Sequence, residues 1–459
     1  MSAETNSRRQ NQKRERGAPL ISPARIAAFE MLRRVEEEGA FASVLLAASD
    51  DEMRAEDRAL RHELVLGVLR WQFWLDQLIE HYAGRSAGSL DAPVRRALRL
   101  GLYQLRFLSR IPASAIVNES VNLAHRARLR SAAGLINAVL RRATREPNYD
   151  PASGITDPFE KVAVETSHPV WLIERWVDAF GIEETKAFAR SNNEAPPNAF
   201  RVVAERAGSD QVISQLRAAG GNVMPSKIAP GAWRIEGAGA VLRKLAREGR
   251  IYIQDEASQL VSHALGAQPG ERVLDVCAAP GSKTTYITDR IGGKGLIVAG
   301  DIHGHRLQTV REACARQGIG PIHMVAYDAT APLPFTDQTF DRVLVDAPCT
   351  GTGTLRRNPE IRWRIEAADI KDLSARQQQI LANASKMVRP GGRLLYSTCS
   401  VEPEENEAVI AAFLQRNNDF TQIVTPAPAS LQVACGAART WPHRDGADGF
   451  YVAALERGS

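Results

Sequence analysis

From Pro23 to about Arg145, apolar residues recur at helical spacing: Ile26, Phe29, Met31 and Leu32, then Leu64, Leu66, Val68, Leu69, Trp71, Trp74, Leu75, Leu78 and Ile79, then Leu98, Leu102, Leu105 and Leu108. The period predicts an all-helical domain over residues 21–148, built from about five helices and punctuated by Gly84, Gly101 and Pro112. Residues 1–20, including Ser7-Arg-Arg-Gln-Asn-Gln-Lys-Arg-Glu-Arg16, are polar and aperiodic and read as a disordered basic arm. The stretch from Pro147 to Pro158 is rich in Pro, Gly, Ser and Asp and reads as a linker. Beyond it, Ser167-His-Pro-Val-Trp171-Leu-Ile-Glu-Arg-Trp176 opens a short helical region with Pro169 near its first turn. Phe200 to Val203 reads as a strand and Gln211 to Ala219 as a helix, so residues 149–250 are expected to form a linker and a small α+β subdomain.

From Ile251 onward the pattern changes. Short β-branched or aliphatic runs, Arg272–Val276, Leu296–Ala299, Ile322–Val325, Arg342–Val345 and Arg393–Tyr396, alternate with helical segments. This alternation predicts an α/β domain over residues 251–459, a mostly parallel sheet with helices on both faces. No internal repeat is evident.

Composition narrows the class. A chain of 459 residues with 44% hydrophobic content suits about two or three domains with ordinary cores. The N-terminus has no apolar signal region, and no apolar stretch approaches membrane-spanning length, so a soluble cytoplasmic protein without membrane contact is expected. The five cysteines are widely spaced and include no C-x-x-C pair, which argues against a disulfide framework and against a metal site. The net charge of +5 is unevenly distributed: residues 1–150 hold 24 Lys and Arg against 18 Asp and Glu, leaving 34 against 35 for the rest. Within residues 91–145 there are 11 arginines, among them Arg95, Arg96, Arg99, Arg126, Arg128, Arg130, Arg141, Arg142 and Arg145, against two acids, Asp91 and Glu119. Such a cluster is either a phosphate-backbone footprint or a solvated arginine-rich helical face.

The candidate chemistry lies at strand ends. Cys349 in Asp346-Ala-Pro-Cys349-Thr-Gly and Cys399 in Ser397-Thr-Cys399-Ser each follow a predicted strand, where open α/β sheets place their active sites. A single such cysteine reads as a small buried apolar residue, as Cys277, Cys314 and Cys435 do. Two in one sheet, with Asp346 three residues before one of them and a tight turn upstream, read as covalent chemistry. Carbon 5 of cytosine is a poor nucleophile, and a thiolate must first add at carbon 6 before it can attack a sulfonium methyl group. Asp346 suits the acid that stabilises the adduct near ring nitrogen 3. Lys283 either supplies positive potential nearby or shapes the turn.

That turn, Asp275-Val-Cys-Ala-Ala-Pro280-Gly281-Ser-Lys283-Thr, has small residues that let a ligand approach the backbone before a helix begins. It lacks the G-x-G-x-x-G spacing of dinucleotide sites. Asp301 closes the second strand, where an acid can accept hydrogen bonds from ribose hydroxyls, and Asp328 follows the third, placed to touch an adenine.

On these residues the chain resembles a known family. The segments Asp275 to Thr284, Asp346-Ala-Pro-Cys349-Thr-Gly-Thr-Gly and Ser397-Thr-Cys399-Ser-Val-Glu-Pro-Glu-Glu-Asn406 resemble, in order, the signature motifs of the NOL1/NOP2/Sun (RsmB/NOP) family of RNA 5-methylcytosine methyltransferases. The helical N-terminal third resembles a NusB-type RNA-binding domain, a combination similar to the bacterial RsmB branch, which acts on 16S ribosomal RNA. The resemblance implies a NusB-like domain, a small α+β subdomain and a Rossmann-like catalytic domain that uses S-adenosylmethionine. It implies that Cys277, Ala278, Ala279, Pro280, Gly281, Ser282, Lys283, Asp301, Asp328 and Asp346 contact that cofactor. It implies further that Cys399 is the nucleophile and that Cys349 assists release of the methylated RNA, an order that the residues alone leave open. Ser282 stands where relatives usually carry Gly, and Tyr451 in Asp448-Gly-Phe-Tyr451 where Phe is common.

The implied partner is small-subunit ribosomal RNA with a single-stranded, looped or flipped target base, met by a monomeric enzyme. Arg356-Arg357-Asn358-Pro-Glu-Ile-Arg362-Trp-Arg364 is a further candidate RNA grip, with Trp363 either a stacking ring or a core residue. Methylation of tRNA or another RNA is an alternative. A non-catalytic ribosome-assembly scaffold leaves the thiol pair unexplained, and a DNA methyltransferase leaves the helical domain unexplained. Asp346-Ala-Pro-Cys also departs from the Asn/Asp-Pro-Pro-aromatic pattern of enzymes that methylate exocyclic nitrogens.

Overall fold

Burial of the N-terminal apolar stripe produces seven α-helices in the first third of the computed structural model, which describes residues 21–48 and 53–459. They run Pro23–Glu37, Ala42–Ala48, Ala55–Arg70, Gln72–Ala83, Ala92–Phe107, Ala113–Arg126 and Ala133–Arg145. The basic arm expected over residues 1–20 lies outside the described residues. The count exceeds the expected five for two reasons. Ala42–Ala48 is too short for a period, and the apolar run from Leu64 to Ile79 is broken at Trp71, whose φ of −101° and ψ of 16° leave the helix without a Gly or Pro to mark it. Leu64, Leu75, Leu78, Leu98 and Leu140 form the centre of the core.

The chain divides into two units, one of residues Met1–Asn193 with Arg356–Trp363, the other of Glu194–Leu355 with Arg364–Ser459. The first unit therefore extends past the expected boundary at residue 148, taking in the helices Pro158–Thr166, Val170–Phe180 and Ile182–Ser191. The segment read as a linker is anchored within it: Pro151 and Ala152 are buried, and Tyr149 stacks on His81 with ring centroids 3.6 Å apart. The stretch read as an RNA grip is also structural in part. Arg362 is fully buried, donates to Ser167 O at 3.0 Å, Asn193 Oδ1 at 2.9 Å and Asn192 O at 3.2 Å, and burial pushes its guanidinium down to about 9. Trp363 donates its indole N–H to Leu69 O at 2.9 Å. Arg356 is buried as well.

The arginine cluster is partly consumed inside the same unit. Arg96 bonds Glu36 and Glu37 at 2.7 and 2.8 Å, and Arg95 bonds Glu36 at 2.7 Å. Arg99 forms a two-pronged pair with Asp76, both contacts at 2.7 Å. Arg142 pairs with Glu146 at 3.0 Å. Arg110, Arg126, Arg128, Arg141 and Arg145 remain exposed.

In the second unit, strands β1 (Asn198–Val202), β2 (Asn222–Pro225), β3 (Ala232–Glu236) and β4 (Ile251–Ile253) form an antiparallel sheet in the order β2-β3-β1-β4. Its core joins Phe200, Val223 and Ile235 to Val212 and Leu216 of the helix Ser209–Ala218 and Leu242 and Leu245 of the helix Gly239–Arg247. The larger sheet contains β5 (Arg272–Asp275), β6 (Leu296–Asp301), β7 (His323–Ala326), β8 (Phe340–Asp346), β9 (Val388–Thr398), β10 (Phe420–Ile423), β11 (Ala438–Arg439) and β12 (Tyr451–Arg457). The order is β10-β12-β9-β8-β5-β6-β7, parallel from β9 to β7, with β12 and β10 antiparallel and β11 paired to β12. Both faces are covered, as expected. Val343, Val345, Leu394 and Tyr396 point to the helices Ala367–Lys386 and Glu407–Arg416, while Leu344 and Leu395, one residue out of phase, meet the helix Glu256–Leu265.

One buried cation joins the small sheet to the helices Ser282–Arg290 and Gly304–Gln317. Arg201 on β1 is 1% exposed, bonds Thr285 Oγ1 at 3.0 Å and Gln317 Oε1 at 2.7 Å, faces Asp289 at 3.4 Å, and lies over the rings of Tyr252 and Tyr286. Replacing Arg201 with Met leaves the Asp289 carboxylate buried without its cation, and urea unfolding is expected to show a loss of about 3–5 kcal/mol.

Candidate active site at the carboxyl ends of the parallel strands

Register brings the two thiols together. β8 and β9 run parallel with Val345 opposite Tyr396 and Asp346 opposite Ser397, so the loops that follow leave the sheet side by side. Ala347 N–H donates to Ser397 O at 2.9 Å, and Gly353 N–H to Cys399 O at 2.9 Å. Cys349 Sγ and Cys399 Sγ come to rest 3.4 Å apart. A glycine is required at 353: a Cβ there would lie 1.9 Å from Gly449 O and 2.9 Å from Cys399 O.

Asp346 is held from two sides. Its Oδ2 accepts from Lys283 Nζ at 2.7 Å and its Oδ1 from Ser397 Oγ at 2.8 Å. Burial disfavours the Lys283 ammonium, but Asp346, with smaller contributions from Cys399 and Asp275, more than offsets this and raises it above its usual value. The Lys283 ammonium also lies 5.4 Å from the Phe450 ring centroid. Asp275, behind the turn, is 1% exposed and accepts from Thr284 Oγ1 at 2.7 Å. Burial pushes its carboxyl up to about 7, with Thr284 opposing.

A cavity of about 480 Å³ opens over these strand ends. Of the residues singled out in the sequence, Cys277, Ala279, Asp301, Asp328, Asp346, Cys349 and Cys399 line it. Ala278, Pro280, Gly281 and Ser282 do not line it but shape its wall. Ala278 is buried with its N–H on Gly300 O at 2.7 Å, and Gly281 takes φ +100°, with room for a Cβ only 3.1 Å from Val310 Cα. Ser282 is the first residue of the helix Ser282–Arg290, and Lys283 reaches the cavity through Asp346. Asp301 accepts from His303 N–H at 3.0 Å and faces Arg306 at 3.4 Å. Asp328 is exposed and held below the usual carboxylate range by the Thr330 hydroxyl and N–H.

Sequence reasoning missed several participants. Ile302, Tyr327 and Arg306 line the cavity beside the predicted acids, and Arg376 comes from the helix Ala367–Lys386, with no local motif to mark it. Glu405 is the larger omission. The run from Glu402 to Glu407 reads as acids complementing a helix dipole, yet Glu405 is fully buried and bonded to both cysteine loops. The Cys349 thiol is pushed well up by its contact with Cys399, by burial and by the Glu405 carboxylate. Among the described residues no cluster of His, Cys, Asp and Glu is arranged to hold a metal ion, and no helix is long and apolar enough to cross a membrane.

Residues 22–145 match the NusB family, residues 168–242 the ferredoxin-like domain described as Methyltr_RsmF/B-like, and residues 262–456 the family described as 16S rRNA methyltransferase RsmB/F. The chain is 34% identical over 440 residues to the probable ribosomal RNA small subunit methyltransferase B of Bacillus subtilis, covering 94% of this chain and 98% of that protein. It is 36% identical over 447 residues to the ribosomal RNA small subunit methyltransferase B of Pseudomonas putida, again covering 94% and 98%. Among solved structures, that of PH0851 superposes with a TM-score of 0.82 at 30% identity over 96% of this chain and 100% of that one. NSun6 from Pyrococcus horikoshii shares the fold at a TM-score of 0.56 and 20% identity, over 62% of this chain and 97% of that one.

Two outcomes are expected from this geometry. The folded chain keeps the Asp275 proton up to about pH 7, whereas the unfolded chain releases it near 3.8, so stability falls as pH rises through that window and levels off above it. The slope is about 1.4 kcal/mol per pH unit, and Asp275→Asn is expected to flatten it in urea unfolding measured at successive pH values. Gly353→Ala drives a Cβ into the backbone at Gly449 and against Cys399 O, and the same assay is expected to show a cost of about 1–3 kcal/mol.

Proposed function

Because this chain belongs to the RsmB family of 16S rRNA methyltransferases, we propose that Cys399 is the nucleophile through which it methylates carbon 5 of a cytosine in small-subunit ribosomal RNA. The observation that carries the reading is the thiol pair, 3.4 Å apart, beside an Asp346 carboxylate fixed by Lys283 at 2.7 Å, in one cavity.

The two thiols sit in different fields. Cys399 interacts with the Lys283 ammonium, whereas Cys349 faces the buried Glu405 carboxylate, which opposes ionisation. Cys399 is thus the thiol that interacts with a neighbouring cation. Its sulfur adds to ring carbon 6, forming the S–C6 bond, and the displaced electrons reach ring nitrogen 3, which takes a proton from the Lys283 ammonium relayed by Asp346 and returns it when the adduct breaks down. Carbon 5 is then electron-rich and takes the methyl group. Loss of the carbon 5 proton to a base re-forms the ring double bond and breaks S–C6. Cys349, in contact with Cys399, is placed to assist that release.

The cavity fits S-adenosylmethionine in size and lining. Asp301 at the end of β6 suits the ribose hydroxyls, exposed Ile302 and Asp328 suit the adenine, and the small-residue turn from Cys277 to Lys283 suits the amino-acid end. The bound cofactor would supply the electrophilic methyl group. The target base must be single-stranded, looped or flipped out to reach the thiols that line the cavity. The exposed arginines Arg110, Arg126, Arg128, Arg141 and Arg145 support a phosphate contact on the helical unit. A cytoplasmic monomer completes the reading.

Wild type, Cys399→Ala and Cys349→Ala, incubated with methyl-labelled S-adenosylmethionine and unmodified 16S RNA, separate the alternatives. Cys399→Ala is expected to give neither label nor a denaturation-resistant protein–RNA adduct, and Cys349→Ala to accumulate the adduct. Adduct lost only with Cys349→Ala would move the attack to Cys349. A wild type inactive on every RNA tested would favour the scaffold.

A further inference from the structure

Resting on that reading, we propose that Glu405 is the residue that sets the division of labour between the two thiols, holding both cysteine loops in place and keeping Cys349 protonated so that Cys399 alone is free to attack. Glu405 is fully buried in the turn after the Thr-Cys loop. Its Oε1 accepts from Thr350 N–H and from Gln377 Nε2, both at 2.9 Å. Its Oε2 accepts from Thr350 Oγ1 at 2.5 Å and from Ser400 Oγ. Thr350 follows Cys349 directly and Ser400 follows Cys399 directly, so one carboxylate clamps the residue after each thiol. Gln377 extends the clamp by donating to Pro348 O at 2.9 Å, just before Cys349. Tyr396 closes it by donating its hydroxyl to Glu405 O at 2.6 Å.

Burial pushes the Glu405 carboxyl above its ordinary value, and the four donors converging on its two oxygens, from Ser400, Thr350 and Gln377, oppose that shift and favour the ionised form. Among the described residues no Lys or Arg forms an ion pair with Glu405, so its negative charge is met by neutral dipoles and its field reaches the neighbouring thiol. The groups facing Cys349 are Cys399 just past β9, Tyr396 on β9, and Glu405; Asp346 at the end of β8 and Arg376 from the helix Ala367–Lys386 line the same cavity, with Lys283 on the far side of Asp346. The Lys283 ammonium therefore interacts with Cys399 and the unpaired carboxylate with Cys349. The Cys349 thiol is raised first by its contact with Cys399 and by burial, and the Glu405 carboxylate adds to the shift in the same direction.

The test measures thiol reactivity directly and needs no RNA. Wild type, Glu405→Gln and Glu405→Ala, each as the full chain, are alkylated with iodoacetamide over a pH series, and Cys349 and Cys399 are quantified separately by peptide mass spectrometry. In Glu405→Gln the Thr350 and Ser400 hydroxyls can turn to accept from the new amide, so the clamp is kept and only the charge is lost. Cys349 alkylation is expected to rise about tenfold at a given pH as the thiolate fraction grows, while Cys399 changes little. In wild type Cys399 is expected to react before Cys349. Unchanged Cys349 reactivity in a folded Glu405→Gln overturns the proposal. Should both variants misfold, wild type decides alone, and Cys349 reacting as fast as Cys399 overturns it. Methyl transfer by the same wild-type preparation separates the two claims: activity without the reactivity difference sinks the role of Glu405, and the reactivity difference without activity sinks the methyltransferase reading.

Discussion

The ion pair between Lys283 and Asp346 is the contact on which the catalytic region depends. An ammonium 8% exposed costs several kcal/mol to desolvate, and only a close, well-oriented carboxylate offsets that cost. Asp346 meets the requirement at 2.7 Å and uses its other oxygen to accept from Ser397. One carboxylate thereby links the helix that begins after β5, the end of β8 and the end of β9. The turn that shapes the cavity wall and both thiol loops take their relative positions from that link.

A second carboxylate, Glu405, works on the other side of the thiols under the opposite rule. Asp346 is neutralised by a cation, whereas Glu405 is solvated by hydroxyls and a backbone amide of the two loops and by the Gln377 amide from the helix Ala367–Lys386. The same negative charge therefore has different effects in the two places. Beside Lys283 it anchors a positive charge near Cys399, and without a cation it discourages a second negative charge on Cys349.

Charge in the helical unit follows a similar economy. Its basic excess suggests an RNA-facing surface, yet Arg95, Arg96, Arg99 and Arg142 are matched to Glu36, Glu37, Asp76 and Glu146, acids far from them in the chain or one helical turn away. Arg362 is bound by backbone carbonyls and Asn193. A count of basic residues overstates the cationic surface because it cannot register which of them are paired, and the exposed remainder is what can meet a phosphate backbone.

The sequence by itself determined the elements and the strand-end positions of the reacting groups. Helical period, strand alternation and the motifs around Cys277, Asp346, Cys349 and Cys399 are local signals, and a residue just past a parallel strand must lie at the carboxyl edge of the sheet. The break at Trp71 escaped because no Gly or Pro marks it. The buried roles of Arg201, Arg362 and Glu405 escaped because burial of a charge is decided by partners tens or hundreds of residues away. Only the tertiary structure decided which thiol faces a cation and which a carboxylate. That distinction rests on the register of β8 against β9 and on side chains from separate helices, and electrostatic fields act through space rather than along the chain.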